Sequence, residues 1–578
     1  MAGEEMAPDD HEEIPVGKRL VRAQGGSGES LTERLTSQFY RLTWRTPLHA
    51  LRLRGRYPLK LLAVPDDPVA GDGAIGLAIL RGALSWRGEQ FDCSRIDFTS
   101  EAVSSGFSTY LQRFQWLRDL AAAGPRAQVA PVAEMLTRKW LASHAERVSE
   151  PAWRPDLWGW RILFWAAHAP LILSSTDLVY RSAVLNGLAR GARHLDRTAD
   201  RAPVGLPRIA AWAGVAAAGL LMTGGNPRRS FGEAGLARAL NSGFSVDGGL
   251  VCRTPDGQLD AVMLLAMLAR VYDARRIELP PFLGSALNLS VPSLLGVTLG
   301  DGGLSSWQGS LPLGPSRVEA IVAASGVRTR PQRQARDWGY QRATAGQTVI
   351  VMDAAPPPDR RVARGGCAST LAFELSDAGH RLIVNCGGAN AGGAFVSSGL
   401  ANGLRTSAAH STLILADSNS TAIHTDGTLG RGVSEVALER QENEGSSRIE
   451  ASHDGYVRRF GLIHKRTLLL TGDGRELRGD DALLPAKARQ KPMTSAFAVR
   501  FHLAPGIEAT PTADGMGALL RIERGALWQF RCRGGTLTIE ESLWVDGDAR
   551  PHNTVQLVVG GEAPPGGASV GWVLRRAG

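Results

Sequence analysis

Residues 369–387 read STLAFELSDAGHRLIVNCG, two short apolar runs on either side of Asp377-Ala378-Gly379. Runs of this length bounded by Asp and Gly are strands joined by a tight turn, so the stretch predicts a β-hairpin. The same rhythm extends outward from it. TVIVMDA (348–354) precedes it; STLILAD (411–417), RTLLLTG (466–472), AVRFHLA (498–504), ALLRIER (518–524), TLTIEESLWV (536–545) and TVQLVVGG (554–561) follow, with Asp473-Gly474 and Asp546-Gly547 as further turns. Many short strands spaced by turn residues make an antiparallel sandwich rather than a helix-covered parallel sheet.

Upstream the period changes to 3.6. STYLQRFQWLRDLAAAG (108–124), VAEMLTRKWLASHAERV (132–148), WGWRILFWAAHAPLIL (158–173), LVYRSAVLNGLARGARHL (178–195), PRIAAWAGVAAAGLLM (207–222) and LDAVMLLAMLARVYDARRI (259–277) read as successive helices with Gly, Pro or Asp near their ends. Around Trp86 to Phe91 a small strand or two is expected. The polar, arginine-rich SGVRTRPQRQ (325–334) marks the boundary. The chain thus divides into an acidic then Gly/Ser-rich tail (1–30) expected to lack order, an α-helical domain (31–320) and a β-sandwich (335–578).

The longest apolar stretch, Ile209 to Met222, falls short of the roughly 18 residues a membrane span needs, so no transmembrane segment is expected. Residues 1–30 carry Glu4, Glu5, Asp9, Asp10, Glu12 and Glu13 and no apolar signal-peptide core, which points to the cytoplasm; a mis-assigned start would leave the periplasm or envelope open. Five scattered cysteines form no CxxC pair and read as reduced core thiols. The net charge of +9 favours a polyanionic partner. With the arginines dispersed and no nucleic-acid-binding motif beside them, nucleic acid is not the expected one.

Several strings together resemble the heparinase II/III family of polysaccharide lyases. They are FQWLRDL (114–120), DGGLVCRTP (247–255) and GDGGLSSWQGS (300–310) in the helical half. In the strand half they are STLAFELS (369–376), RTSAAHSTLIL (405–415), HDGYVRRFGLIHKR (453–466), GDGRELRGDD (472–481) and RFHLAPG (500–506). The resemblance implies an incomplete (α/α) toroid followed by an antiparallel β-sandwich, with a sugar cleft between them. It also implies cleavage of an acidic, uronate-containing polysaccharide by β-elimination. That reaction needs the C5 carboxylate neutralised, a base for the C5 proton and an acid for the leaving oxygen.

On this resemblance His410 and Tyr456 are the candidate catalytic residues. Arg208, Arg253, Trp307, Arg405 and Arg466 are candidate substrate contacts. His410, Asp417, Asp426 and His464 are the candidate ligands of a Zn²⁺ ion, which takes imidazole and carboxylate donors. The helical half departs from the family pattern. Gly205-Leu206-Pro207-Arg208 stands where an Asn-His pair is expected, RTPDGQLD (253–260) holds no tyrosine, and Leu250 and Cys367 replace expected histidines. The alternative function is therefore a protein that binds an acidic glycan or envelope precursor without cutting it.

Overall fold

The computed structural model describes residues 19–22, 46–58, 60–100, 103–359, 362, 365–487 and 493–577. Helices dominate up to Ser325 and antiparallel strands dominate from Tyr340. The helical half includes Ser105–Arg113, Arg126–His144, Pro155–Ala167, Leu178–Thr198, Leu206–Leu221, Asn226–Gly243 and Pro255–Arg275. Pro155 and Pro255 open their helices, where a missing N–H costs nothing and the fixed φ suits the first turn. Leu206–Leu221, buried along nearly its whole length, packs between Pro155–Ala167 and Asn226–Gly243. Gly159 and Gly214 allow the closest approach: a Cβ on Gly159 would lie 1.9 Å from the Ala210 carbonyl oxygen. The expected strands near Trp86 form one hairpin, Ala83–Trp86 with Glu89–Asp92.

The strand half holds two large sheets. One runs in the order 19–22, 435–443, 446–453, 462–471, 476–485, 568–577, 527–533, 517–522, 507–511; the other 536–545, 551–563, 495–503, 380–384, 373–377, 348–353, 340–345, with 413–415 paired onto 495–503. The paired strands within both are antiparallel, and their inner faces close on Phe373, Phe501, Trp528, Phe530 and Trp572. The hairpin at 377–379 turns through Ala378 and Gly379, both at positive φ (48° and 80°), which a short two-residue turn requires.

The N-terminal tail needs a correction. Arg19–Arg22, inside the stretch expected to lack order, is an edge strand pairing Arg19 with Leu438 through Arg22 with Glu435. Val21 packs on the sandwich core, and Arg19 and Arg22 reach Asp337 (2.7 Å) and Glu435 (3.2 Å). A four-residue run is too short to declare itself in sequence, but it caps an exposed sheet edge. The rest of 1–30 lies outside the described residues.

Candidate functional site

The two halves meet on the segment 303–312, which leaves the helical domain and lies almost wholly buried against the strands. Its polar groups are held by carboxylates from the sandwich. Glu374, on strand Phe373–Asp377, accepts from the Ser306 N–H (3.0 Å) and from the Asn385 side chain (2.9 Å). Burial pushes its carboxyl up to about 7, against the pull of Arg381 and these donors. Gln308 donates to Asp353 (3.1 Å) and Ser369 (2.9 Å) and accepts from the Cys367 N–H (2.8 Å). Asp353 also takes the Ser369 hydroxyl (2.7 Å) and the Arg253 guanidinium (2.5 Å).

Arg253 therefore joins the domains. Its remaining N–H groups donate to the carbonyls of Trp338 and Pro356, both at 2.7 Å, and its guanidinium lies over the Tyr340 ring at 4.8 Å. It stands with φ +60° and 6% exposed, which corrects its reading as a substrate contact: each of its three guanidine nitrogens already binds protein oxygen. Trp307 is corrected likewise. It is fully buried against Tyr340, with no face open to a sugar ring.

Arg405 is buried and donates to the carbonyls of Gly366 (2.9 and 2.7 Å) and Gly427 (2.6 Å). Arg208 donates to the Ala202 carbonyl (2.9 Å) and braces the entry to its own helix. Arg405 is thus placed to hold main chain, while Arg208 is half-buried and uses one N–H in this way.

His410 follows the short turn Ser407–Ala409 and is 1% exposed. Its Nδ1 lies 2.7 Å from the Thr406 carbonyl oxygen. A carbonyl only accepts, so Nδ1 carries the proton and Nε2 keeps its lone pair. Burial lowers its pKa to about 4, against the pull of the Thr406 carbonyl and Asp353, so the ring is neutral at pH 7.

His464 lies inside a closed chain of hydrogen bonds in the sandwich. The Gly455 N–H donates to His453 Nδ1 (3.0 Å), which puts the His453 proton on Nε2, facing His464 Nδ1 at 3.3 Å. His464 in turn donates from Nε2 to Asp481 (2.8 Å). Arg466 completes the group, donating to both Asp481 oxygens (2.8 and 3.1 Å) and to the carbonyls of Leu371 and Ser411, each at 2.7 Å. Trp572 adds an indole N–H to Asp481 (2.9 Å). Burial alone would raise the Asp481 carboxyl, but Arg466 and His464 outweigh it and hold it far below the usual range.

This chain corrects the reading of His464 and Arg466 as metal and substrate ligands, since both His464 nitrogens and the Arg466 fork are engaged. Asp417 and Asp426 are exposed turn residues, the latter accepting from Thr428 N–H and hydroxyl (2.9 and 2.6 Å). Among the described residues no group of three His, Cys, Asp or Glu side chains is arranged to hold a metal ion. The donor set expected for zinc does not fit one, and no chemical step is derived through it.

Tyr456 is 1% exposed, its hydroxyl donating to the Leu413 carbonyl (3.0 Å), and burial raises its pKa. The structure corrects its reading as an acid or base: its proton is committed to the main chain inside the core. Where the family's tyrosine is expected, helix Pro255–Arg275 instead presents Asp256 and Asp260 one turn apart. Asp260 pairs with Arg113 (2.9 Å), while burial and then the Asp260 charge raise the Asp256 carboxyl. Sequence reasoning missed Asp353, Glu374, Asp481 and this pair. A carboxylate within or closing an otherwise apolar strand, as in TVIVMDA and STLAFELS, was the available signal, because such a group must find a buried donor.

Comparison with known proteins agrees with this architecture. Residues 327–573 match the family profile described as heparinase II/III-like, C-terminal. A crystal structure of heparinase III superposes with a TM-score of 0.68 at 12% identity, over 96% of this chain and 93% of that one. The heparan sulfate lyase HepC from Pedobacter heparinus superposes at 0.58 and 14% identity, over 96% and 92%. These likenesses establish the polysaccharide lyase-like fold of toroid plus sandwich. In sequence, FtsZ-localized protein C of Caulobacter vibrioides (strain NA1000 / CB15N) is 30% identical over 554 residues, 92% of each chain. The chain belongs to the family of that protein, and its C-terminal domain is heparinase II/III-like.

Proposed function

We propose that this chain is a binding protein of the cell-division apparatus, localised with FtsZ in the cytoplasm, whose heparinase scaffold engages an acidic glycan or envelope precursor without cleaving it. The whole-length likeness to an FtsZ-localized protein carries the division-site part, because it spans both domains rather than a shared module. The absence of turnover is supported by the side chains themselves. Arg253, Arg405, Arg466 and Tyr456 donate to groups of the protein, and the helical side offers Asp256 and Asp260 where β-elimination would use a tyrosine.

The direct test is co-sedimentation of the purified full-length chain with FtsZ polymers, with unpolymerised FtsZ as control. Enrichment in the polymer pellet supports the reading, and equal recovery with and without polymer removes it. A second reading, a working lyase on uronate polymers, is favoured by His410, whose neutral ring keeps Nε2 as a lone-pair acceptor. Absorbance of unsaturated product across a panel of uronate polymers separates the two. Turnover that disappears in His410→Ala would establish the lyase; no product from any polymer, together with measurable glycan binding, supports the non-cleaving protein.

A further inference from the structure

The glycine-rich segment 391–403 of the sandwich runs between two anchored ends. The N–H groups of Gly388 and Asn390 donate to the carbonyls of Ser310 (3.0 Å) and Gly309 (2.9 Å), which fixes one end on the buried joint. At the other end Leu404 is buried, and the Ala368 N–H donates to the Arg405 carbonyl (2.9 Å). Between these anchors Gly392 and Gly393 stand at positive φ (63° and 86°), and the short helix Ser398–Gly403 buries none of its residues. Phe395 is 40% exposed. A segment that buries so little apolar surface belongs to the least stable parts of a fold.

The helical domain reaches across to this segment with one hairpin turn. Arg87 and Gly88, both at positive φ (45° and 82°), join strands Ala83–Trp86 and Glu89–Asp92. The Ala394 N–H donates to the Arg87 carbonyl (3.0 Å), and the Arg87 guanidinium donates to the Ala391 carbonyl. Phe395 closes on Gly88 so tightly that a Cβ there would lie 2.5 Å from the ring. Among the described residues these two are the hydrogen bonds that tie segment 391–403 to the helical domain. The buried joint uses the carboxylates of Asp353 and Glu374 as acceptors, whereas this clasp uses peptide carbonyls. Neutral acceptors bind a guanidinium less strongly, so the clasp parts before the joint does.

The segment leads into the turn Ser407–Ala409 and so to His410. Ala391, Val396 and Leu404 pack in one cluster with Ala409. The His410 ring is 1% exposed, and its Nε2 lone pair meets no partner among the described residues. Nothing outside the chain reaches that nitrogen while the ring stays covered. We infer that the turn Arg87–Gly88 is a strap that holds segment 391–403 shut over His410, and that its release opens the site. This role rests on the reading of His410 as a group that meets ligand; the motion of the strap does not. A ligand for the site binds the open form alone, and its affinity falls in proportion to the fraction of protein that is closed.

The test needs no ligand. Diethyl pyrocarbonate reacts with an unprotonated imidazole nitrogen, and mass spectrometry of the treated full-length protein gives a rate for each histidine. Exposed His424 should label fast and buried His194 not at all, which checks the reagent and the fold. His410 should label slowly in the wild type and about tenfold faster or more in R87A/F395A, with faster hydrogen exchange in 391–397. Oxidised R87C/A394C should label more slowly than the wild type, and reduction should release it. His410 labelling as fast as His424 in the wild type overturns the closed site. Equal His410 rates in the wild type and R87A/F395A overturn the strap, whether or not exchange in the segment has changed. Labelling of His194 in a variant marks lost folding, and F395A alone then carries the comparison. No glycan or FtsZ enters these assays, so failure of either binding reading leaves the strap standing, and failure of the strap leaves both readings intact.

Discussion

Arg161 in the helical domain and Arg466 in the sandwich are both fully buried, yet they are held by different physics. Arg161 lies over Trp140 (4.3 Å) and Trp158 (4.5 Å) and donates to the carbonyls of Gln112 (2.6 Å) and Ala152 (3.1 Å). Burial dominates there and pulls its pKa well down, with Asp156 opposing from a distance. Arg466 binds a carboxylate that a histidine and a tryptophan also bind. At Arg161 the helical core accommodates a cation with ring faces and peptide dipoles, whereas at Arg466 the sandwich uses an ion pair inside a hydrogen-bonded chain. A cation stabilised by dipoles can be replaced by an apolar side chain without stranding an opposite charge; a member of the pair cannot.

That contrast orders the expected effects. Asp481→Ala should be the most damaging change, costing about 3–5 kcal/mol, because Arg466, His464 and Trp572 would each lose a buried acceptor. Urea unfolding measures it, and a loss under about 1 kcal/mol would show that water or a rearranged side chain replaces the carboxylate. Arg161→Met should cost less, about 1–3 kcal/mol, since the ring contacts and carbonyl bonds go but no charge is orphaned. If Arg161→Met proves worse than Asp481→Ala by the same assay, the distinction between the two buried arginines fails.

Protonation sharpens it further. His410, His144 and His49 are pushed down to about 4, and His194 and His502 to about 3, with burial the largest cause for each. A histidine whose folded pKa lies below its unfolded one contributes stability that is complete above about 6.5 and is lost as pH falls toward 4. Glu374 runs the other way. Its folded pKa, near 7, is above the ordinary 4.5, so its contribution is complete below about 4.5 and is lost as pH rises through 7. Glu374→Gln should therefore gain on the wild type between pH 5 and 8, by roughly 1–2 kcal/mol. A constant difference across that range, read from melting temperatures at each pH, would mean the seam carboxyl does not titrate there. Tyr456→Phe should show the smallest effect, about 1 kcal/mol, from one lost hydrogen bond in the core; substrate turnover abolished by this change would return the hydroxyl to catalysis.

Much of the fold was readable in advance, unevenly and for physical reasons. Most strands named from sequence carry continuous apolar runs, such as Thr348–Asp353 and His380–Val384, although Thr536–Val545 alternates and holds Glu540 and Glu541. Those missed, among them Glu435–Asn443, Ser446–His453 and Leu527–Arg533, alternate buried and open positions and carry charge on the outer face. Helix Asn226–Gly243 is absent from the helices named from sequence, although Pro227 in its first turn is a helix start. The tryptophans at 116, 140, 153, 158, 160, 165 and 212 are core.

The candidate site was less legible. His410 was found by its place before an apolar strand between small residues, and its buried, singly protonated ring suits that attention. Arg253, Trp307, Arg466 and His464 were chosen on the family resemblance together with residue type, and neither reveals what a side chain meets.

By itself the sequence determined the change from a 3.6-residue to a two-residue period, and hence a helical domain followed by a sandwich, because periodicity reflects which face of each local element must leave water. It also determined the absence of a long apolar span. Only the tertiary structure decided that Arg253 closes on Asp353, a hundred residues away, that Asp481 is shared among Arg466, His464 and Trp572, and that segment 303–312 is the buried joint. A hydrogen bond or ion pair depends on distances of a few tenths of an ångström between groups far apart in the chain. Residue spacing along the sequence does not contain those distances; the packing of the two domains creates them.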